Sequence, residues 1–365
     1  MNLSFPATLN EVWAHIPSWL SLLRHAWPDA QLHEIALPFE DLPWRWIEAP
    51  ATKHATQALI LTAGLHGIEG HVGVAVLDLL LRAHLPGHLA ATTDLYIVPL
   101  VNPWGMAHSR RVNAHNVDLN RNVWPPETPI QIENPAYDRL RAFLNPKGPV
   151  KPQDRWQFFV RTARALIQTR GTAALRSASL QGQSRYPRGV FFAGQRVEPE
   201  IRALQHLLTR AMQRPRVFHI DIHTGYGPRD QLTLVAPQNE PRSLDELRQI
   251  YRYPHVDRVA SETFYAIQGD LGSYVITLGQ KVGTAAQTIA LEFGTWGDGL
   301  VAQMRSLRAV VLENQLYHFG ASRPETATWV RDEFRELFFP QRPEWVRRAT
   351  EQAHAALRGV VHALT

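Results

Sequence analysis

Hydrophobic positions along the chain predict alternating strands and helices. The apolar run at 57–63 has the length of a buried strand and stops at Ala63-Gly64, where turn residues begin. Apolar positions at helical spacing follow at 72–84, and a second buried strand is predicted at 94–101. A strand, a turn and a helix in this order form an α/β unit. Further strands are predicted at 32–37, 44–47, 216–222, 231–236 and 287–293, and further helices at 9–26, 154–169, 198–212, 300–319, 326–338 and 343–363.

The same pattern indicates one domain over residues 1–365. No internal repeat or low-complexity segment divides the 365 residues, and a core is expected at about 30–320. Residues 123–194 are rich in Pro and Arg and are expected to leave the core as an insert, which either shapes the pocket or decorates the surface. Residues 321–365 are expected to form C-terminal helices. Pro17 predicts one broken helix or two short ones near the N-terminus.

Composition narrows the chemistry that is open to the chain. There is no cysteine, so disulfides and thiolate ligands are excluded and any metal must be bound by His, Asp and Glu. The net charge of +5 comes mostly from Arg, and no nucleic-acid motif accompanies it, so no nucleic-acid partner is expected. No apolar run reaches the length of a membrane span, and the N-terminus has no signal-peptide pattern. We therefore expect a cytoplasmic protein without a membrane partner.

His66 and Glu69 lie on the turn that follows the strand at 57–63. An imidazole and a carboxylate three positions apart can reach one cation on a tightly coiled turn, and Zn²⁺ accepts both ligand types. Gly67 and Gly70 flank the pair and permit close backbone approach. Because open α/β sheets place their active sites beyond strand carboxyl ends, we interpret this turn as half of a zinc site.

Three polar residues alternate along the strand at 216–222 and its end. His219, Asp221 and His223 point to one face, and only His223 lies at the carboxyl end where it can meet His66. We therefore predict His223 as the third ligand and His219 as a satisfied core histidine. Asp221 is either a partner of the ligands or a structural hydrogen-bonder.

The loop at 110–122 concentrates Arg, Asn and Asp after a strand. Arg121 with Asn120 suits a substrate carboxylate, and Arg111 suits a developing oxyanion. A solvated loop with ion pairs to Asp118 is the alternative. Asp118 is also a candidate acceptor for the second ring N–H of His66, since metal-bound histidines usually have such a partner.

Glu292 closes the apolar strand at 287–293. A carboxylate at this position lies either at the solvent-exposed end of the strand or in a functional site. If it faces the metal, it can take a proton from an activated water and pass it to the leaving group.

Together these motifs resemble the zinc carboxypeptidase superfamily. The likeness is strongest to its uncharacterised bacterial metallopeptidase branch, which has a Gly-Leu-His-Gly-x-Glu-Gly opening and an Asp-x-His-Thr-Gly segment. The aspartoacylase and succinylglutamate desuccinylase branch is a more distant relative. The motifs cover about residues 57–125 and 216–294. They are His66-x-x-Glu69, Asn102-Pro103-x-Gly105, Arg111, Asp118-Leu119-Asn120-Arg121-Asn122, His223 and Glu292.

The resemblance implies a mixed eight-stranded sheet between helices, as in phosphorylase/hydrolase-like folds, and one bound zinc ion. It also implies roles for eight side chains: zinc ligation by His66, Glu69 and His223, general-base catalysis by Glu292, polarisation of the scissile carbonyl by Arg111, carboxylate binding by Asn120 and Arg121, and orientation of His66 by Asp118. The proton-assisting tyrosine of the superfamily has no clear counterpart, and Tyr274 and Tyr265 are candidates. The segment at 123–194 and the C-terminal helices depart from a simple carboxypeptidase.

We therefore predict a zinc-dependent hydrolase that cleaves an amide bond near a free carboxylate, in the manner of a carboxypeptidase-like metallopeptidase. The expected substrate is a peptide or a small amide with a free carboxylate. One alternative is a deacylase acting on N-acyl amino acids. Another is a catalytically idle metal-binding protein. Oligomeric state and side-chain specificity stay open.

Overall fold

An eight-stranded mixed sheet forms the centre of the fold in the computed structural model, which describes residues 2–38, 42–169, 171, 175, 178, 181–259 and 268–364. Within these residues the strand order is β1-β2-β4-β3-β5-β8-β6-β7. The four adjacent strands β4, β3, β5 and β8 are parallel, whereas β2 and β6 run antiparallel to their neighbours β4 and β8. The strands are β1 Gln31–Ala36, β2 Pro43–Ala49, β3 Gln57–Ala63, β4 Thr93–Val98, β5 Arg216–Gly225, β6 Leu232–Ala236, β7 Val256–Arg258 and β8 Ala285–Gly294.

Helices cover both faces of the sheet. Leu59 and Leu61 of β3 pack into one apolar cluster, and Ala58 and Ile60 pack into another on the opposite face. A strand buried on both faces has no polar side, which explains its continuous apolar run. The helices are α1 Leu9–Leu23, α2 Gly70–Leu79, α3 Pro103–Ala107, α4 Pro135–Leu144, α5 Asp154–Thr169, α6 Pro199–Ala211, α7 Leu244–Tyr251, α8 Leu271–Val282, α9 Leu300–Phe319, α10 Pro324–Phe338 and α11 Pro343–His362.

This architecture confirms the predicted α/β class with a mixed eight-stranded sheet between helices. The predicted break at Pro17 is wrong, because α1 continues through that residue. Its buried positions, Val12, Ile16, Trp19 and Leu23, lie on one face before and after the proline, so their packing keeps the helix together. The strand at 94–101 ends earlier than predicted, at Val98, and β5 extends past the predicted end to Gly225.

Several elements of the structure were not predicted from the sequence. They are α3, α4, α7, α8 and β7. Helices α4 and α7 are short and bury only three and two side chains, so each offers few apolar positions from which a helix could be predicted. The helix predicted at 72–84 begins two residues earlier and ends in a π-helical turn at Leu80–His84.

The insert and the C-terminal helices pack together behind the turn that carries His66 and Glu69. A third apolar cluster joins side chains of α4, α5, α9 and α10 to Ile68, which lies between His66 and Glu69. Its members include Tyr137, Leu140, Phe158, Val311, Phe334 and Phe338. This packing connects the insert to the site through Ile68. None of the helices within the described residues combines the length and apolar character needed to cross a bilayer.

Candidate metal centre

The turn carrying His66 and Glu69 is fixed against a neighbouring loop. A short 3-10 segment leads from β3 into α2, and the backbone N–H of Gly67 donates to the carbonyl of Arg111 at 3.1 Å. A Cβ atom on residue 67 would lie 2.2 Å from the carbonyl carbon of Gly105. Only glycine permits so close an approach of two backbones. The turn is therefore held by the same loop that carries Arg111.

The side chains of His66, Glu69 and His223 converge on one buried point. Each offers one ligand atom, and these atoms lie within 4.8 Å of one another. Nδ1 of His66 is 2.9 Å from Oε1 of Glu69, and Nδ1 of His223 is 3.0 Å from Oε2. Both imidazoles thus direct Nδ1 at the same carboxylate. They meet because β3 and β5 are parallel neighbours, so their carboxyl ends lie at the same edge of the sheet.

Each histidine has its other ring nitrogen hydrogen-bonded to an aspartate. Nε2 of His66 donates to Oδ1 of Asp118 at 3.1 Å, and Nε2 of His223 donates to Oδ2 of Asp221 at 2.6 Å. A carboxylate in this position fixes the imidazole tautomer, which leaves Nδ1 to bind a metal. Asp221, which the sequence left open between two roles, therefore contacts a ligand.

The donor set fits a divalent cation. Nδ1 of His66 is buried and, within the described residues, makes no hydrogen bond of acceptable geometry, although a carboxylate oxygen of Glu69 lies 2.9 Å away. A buried nitrogen left in this way costs free energy unless a ligand binds it. Two imidazole nitrogens and one carboxylate oxygen form a ligand set typical of catalytic zinc sites. His66, Glu69 and His223 can therefore hold a metal ion.

Electrostatics favour the ionised form of Glu69. Burial alone would favour the neutral acid, but His66 and His223 lower the pKa of Glu69 below its usual range. Nη1 of Arg111 donates to Oε1 at 3.0 Å, and the backbone N–H of Thr224 donates to Oε2 at 3.2 Å. Burial would also lower the pKa of His223, but the carboxylates of Asp221 and Glu69 together outweigh it and raise that pKa well above its usual value. The cluster therefore holds a carboxylate that attracts positive charge.

Glu292 lies beside the cluster on the next strand. In the parallel pairing of β5 and β8, His223 is directly opposite Glu292, so both side chains lie on one face. Oε1 of Glu292 accepts the backbone N–H of Tyr226 at 3.1 Å. Burial raises the pKa of Glu292 to about 8, and the neighbouring charge of Glu69 raises it too. This carboxyl group lines the same cleft as the three ligand side chains.

The loop at 110–122 is buried, so the solvated-loop alternative is wrong. Arg111 and Arg121 are 5% and 0% exposed, and Nε of Arg111 donates to Oδ2 of Asp118 at 3.3 Å. Although burial favours the neutral acid, Arg111 and Arg121 hold the pKa of Asp118 well below its usual range. Oδ1 of Asn120 accepts the backbone N–H of Leu271, the first residue of α8, at 3.0 Å. This hydrogen bond orients the amide of Asn120 at the cleft wall.

The cleft brings together seven of the eight side chains to which roles were assigned. The eighth, Asp118, lies behind His66 and is fully buried. The sequence missed a group of wall residues. They are Tyr226, Val235, Pro237, Val259, Asp270, Gly272, Thr288 and Ala290.

Some of these missed residues left a signal in the sequence. Thr288 and Ala290 alternate with Glu292 along β8, so a period of two places them on its face. Residues of α8 left none, because that helix was not predicted. His219 is fully buried with both ring nitrogens hydrogen-bonded, and it also lines the cleft.

Of the two tyrosine candidates, only Tyr274 belongs to the described part of the chain. Tyr274 packs against an apolar cluster on α8, and the described lining residues do not include it. Tyr265 lies outside the described residues. Tyr226 does line the cleft, and its ring lies 5.8 Å from the guanidinium carbon of Arg111.

The structure is similar to several solved structures at low sequence identity. Thrombin-activatable fibrinolysis inhibitor shares 18% identity over 89% of this chain and 74% of its own, with a TM-score of 0.47. Carboxypeptidase A from Helicoverpa armigera shares 16% identity over 89% of this chain and 73% of its own, with a TM-score of 0.45. Succinylglutamate desuccinylase from Chromobacterium violaceum shares 17% identity over 88% of this chain and 74% of its own, with a TM-score of 0.35.

Comparison by sequence gives a family but no curated relative. No curated protein matches the chain. The model of the family DUF2817, described as "Protein of unknown function", matches residues 49–352. That range includes the cluster, Glu292 and the whole described cleft lining. Because the match spans most of the chain, the protein belongs to the DUF2817 family.

Proposed function

We propose that this protein is a zinc-dependent hydrolase that cleaves an amide bond near a free carboxylate, as a carboxypeptidase-like metallopeptidase does. One observation carries the proposal. The buried His66, Glu69 and His223 cluster opens into a cleft that also contains a half-buried carboxyl group, Glu292, on the strand beside His223. A metal site with an adjacent carboxylate is the arrangement that metal-assisted hydrolysis needs.

The metal supplies one part of the chemistry. Zn²⁺ bound by these residues provides Lewis acidity that makes water nucleophilic near neutral pH and polarises a carbonyl oxygen. Glu292 provides the proton transfers: its carboxylate takes a proton from the attacking water and returns it to the departing amine nitrogen. The hydrogen bond from the N–H of Tyr226 fixes Oε1 of Glu292, so one carboxylate oxygen is held while the other is directed to the reactants.

Arg111 and the carboxylate-binding pair provide charge and orientation. The guanidinium of Arg111 lines the cleft beside Glu69 and stabilises negative charge that develops on the scissile carbonyl oxygen. Arg121 and Asn120 line the same cleft and bind the free carboxylate of the substrate. The bond to Leu271 holds the amide of Asn120 in a fixed orientation for this contact.

The decisive experiment compares wild type with Glu292→Gln, since glutamine keeps the size of the side chain and can still accept from the N–H of Tyr226. Both proteins should bind one zinc ion, measured by elemental analysis. Hydrolysis should fall by about 10²–10⁴-fold in the variant, the usual contribution of a general base. Glu200→Gln is the matched control, because Glu200 is a buried glutamate that does not line the cleft. Full activity in Glu292→Gln would refute the assigned base.

The substrate class is tested by a screen of three matched sets. These are peptides with a free C-terminal carboxylate, the same peptides amidated at the C-terminus, and N-acyl amino acids. Cleavage of the free peptides but not the amidated ones supports the proposal. Activity on N-acyl amino acids alone would make the protein a deacylase in which Asn120 and Arg121 still bind the substrate carboxylate. Bound zinc without hydrolysis of any set would leave only a metal-binding protein.

A further inference from the structure

Three buried polar side chains lie beneath the metal cluster and have no part in the chemistry proposed above. Thr62 on β3, His219 on β5 and Thr288 on β8 are 0%, 0% and 3% exposed. Strand register makes them neighbours, because Thr62 is opposite Asp221 and His219 is opposite Thr288. Burying hydroxyl and imidazole groups in a sheet costs free energy unless each is hydrogen-bonded. We refer to Thr62, His219 and Thr288 as the polar triad.

Hydrogen bonds connect the polar triad to Asp221. Nδ1 of His219 is 2.8 Å from Oγ1 of Thr288, and Nε2 of His219 is 2.9 Å from Oγ1 of Thr62. The hydroxyl of Thr62 donates to Oδ1 of Asp221 at 2.6 Å. The other oxygen of that carboxylate, Oδ2, accepts Nε2–H of His223 at 2.6 Å. A continuous series of hydrogen bonds therefore runs from the floor of the cleft to a metal ligand.

Proton counting gives each bond its direction. Ionised Asp221 only accepts, so the single proton of the Thr62 hydroxyl goes to Oδ1, and its oxygen must accept from Nε2–H of His219. The alternative acceptor for that proton, the carbonyl of Ile220, is more distant at 3.4 Å. Burial lowers the pKa of His219 to about 4, so the ring is neutral at physiological pH. Its Nδ1 then accepts the hydroxyl proton of Thr288.

We propose that the polar triad positions the metal ligand His223 by fixing the carboxylate of Asp221. With Thr62 bonded to one oxygen, Asp221 presents the other to Nε2 of His223, so the proton stays on Nε2 and Nδ1 is available to the metal. His219 and Thr288 act through Thr62, since they hold its hydroxyl in the donating orientation. This inference rests on the proposed metal site but not on hydrolysis.

Removing the Thr62 hydroxyl has different effects if the polar triad positions His223 and if it only packs the core. A structural role predicts that removing the Thr62 hydroxyl lowers stability and leaves metal affinity unchanged. A positioning role predicts weaker metal binding and a changed environment at His223, because Asp221 is a direct partner of that ligand and Thr62 holds Asp221.

The test uses Thr62→Val, which removes the hydroxyl at nearly constant shape, and Thr62→Ser, which restores it. The zinc dissociation constant is measured by competition with a chromophoric chelator. Thr62→Val should bind zinc up to about 10-fold more weakly than wild type, the lower end of the effect of losing a direct partner of a ligating histidine, because it loosens Asp221 without removing it. Thr62→Ser should bind nearly as tightly as wild type. Thr162→Val is the control, because this threonine is fully buried in α5 and, among the described residues, its hydroxyl bonds only the carbonyl of Phe158 at 2.8 Å. Its zinc affinity should be that of wild type.

A spectroscopic readout follows His223 itself. In zinc-loaded protein with ¹⁵N-labelled histidine, the Nε2 proton of His223 should give a low-field resonance because of its bond to Asp221. That resonance should shift or exchange faster in Thr62→Val and return in Thr62→Ser. Wild-type affinity together with an unchanged resonance in Thr62→Val would overturn the inference.

Three further outcomes are decided by the same assays. If Thr62→Val does not fold, Thr288→Val against Thr288→Ser repeats the test at the other end of the series, with weaker zinc binding expected only for valine and equal binding refuting the triad's role. If wild type binds no zinc, both the metal site and this inference fail. If wild type binds zinc but hydrolyses nothing, the hydrolase proposal fails, and the affinity series still tests the triad.

Discussion

The raised pKa of Glu292 gives the metal-free protein a specific dependence of stability on pH. The unfolded carboxyl group ionises near 4.5, whereas the folded one ionises near 8. Between these values the folded state keeps a proton that the unfolded state has lost. The contribution of Glu292 to stability is therefore fully present below about pH 4.5 and is lost as the pH rises through 8.

The size of this effect follows from the two pKa values. One pKa unit corresponds to about 1.4 kcal/mol at 25 °C, so a rise from 4.5 to about 8 corresponds to up to about 5 kcal/mol. Glu292→Gln cannot ionise and should not lose this free energy. The free energy of unfolding of the variant minus that of wild type should therefore increase by up to about 5 kcal/mol between pH 4.5 and pH 9.

Urea unfolding of chelator-treated protein at pH steps from 5 to 9 measures this difference. Other titrating groups are common to both proteins and largely cancel in it. Zinc provides an internal test, because a dication next to Glu292 favours the carboxylate and should reduce the pH-dependent difference.

Glu200→Gln is the matched comparison for the zinc test. Burial raises the pKa of Glu200 to about 8 as well, but its partner is Asn113, at 3.2 Å, and it does not line the cleft. Its pH-dependent difference should persist when zinc is added. A constant difference between wild type and Glu292→Gln at all pH values would refute the reasoning, as would equal effects of zinc on the two variants.

Three other expectations follow from the site. Asp118→Asn should weaken zinc binding by about 10–100-fold, measured by chelator competition, because asparagine lacks the carboxylate that accepts the hydrogen bond of His66. An unchanged zinc affinity would contradict that role. Zinc at about 100 times its dissociation constant should stabilise the protein by about 2.7 kcal/mol in thermal unfolding, reversibly on chelation, and an unchanged melting temperature would exclude a native-state site. Gly67→Ala should lower the unfolding midpoint sharply because its Cβ would meet the backbone of Gly105 at 2.2 Å, whereas Gly87→Ala, with its nearest contact at 3.4 Å, should change little.

Local patterns in the sequence were enough to define the elements that carry the site. The apolar run of β3 followed by glycines places His66 and Glu69 just beyond a strand end, and the structure has that strand at Gln57–Ala63. Strand alternation puts His219, Asp221 and His223 on one face of β5, which extends to Gly225. Such patterns are readable because they depend only on residues two to four positions apart.

Pairings between distant segments were decided by the tertiary structure. Asp221 was ambiguous in the sequence because its partners are Thr62, which lies on another strand, and the imidazole of His223. From the sequence, the loop at 110–122 could be either a solvated connection or part of a binding site. Its packing in the tertiary structure is what buries Arg121. Asn120 is held by the start of α8, a helix that the sequence pattern did not reveal.

The order of strands explains this division. The sequence determined that His66, His223 and Glu292 each stand at or near a strand end, but not that β3, β5 and β8 would be adjacent. Strand adjacency results from burying apolar faces contributed by the whole chain, including helices far from the site, so no local window of residues contains it. The sequence thus places the candidate ligands at or near strand ends, and the adjacency of the three parallel strands brings them to one point.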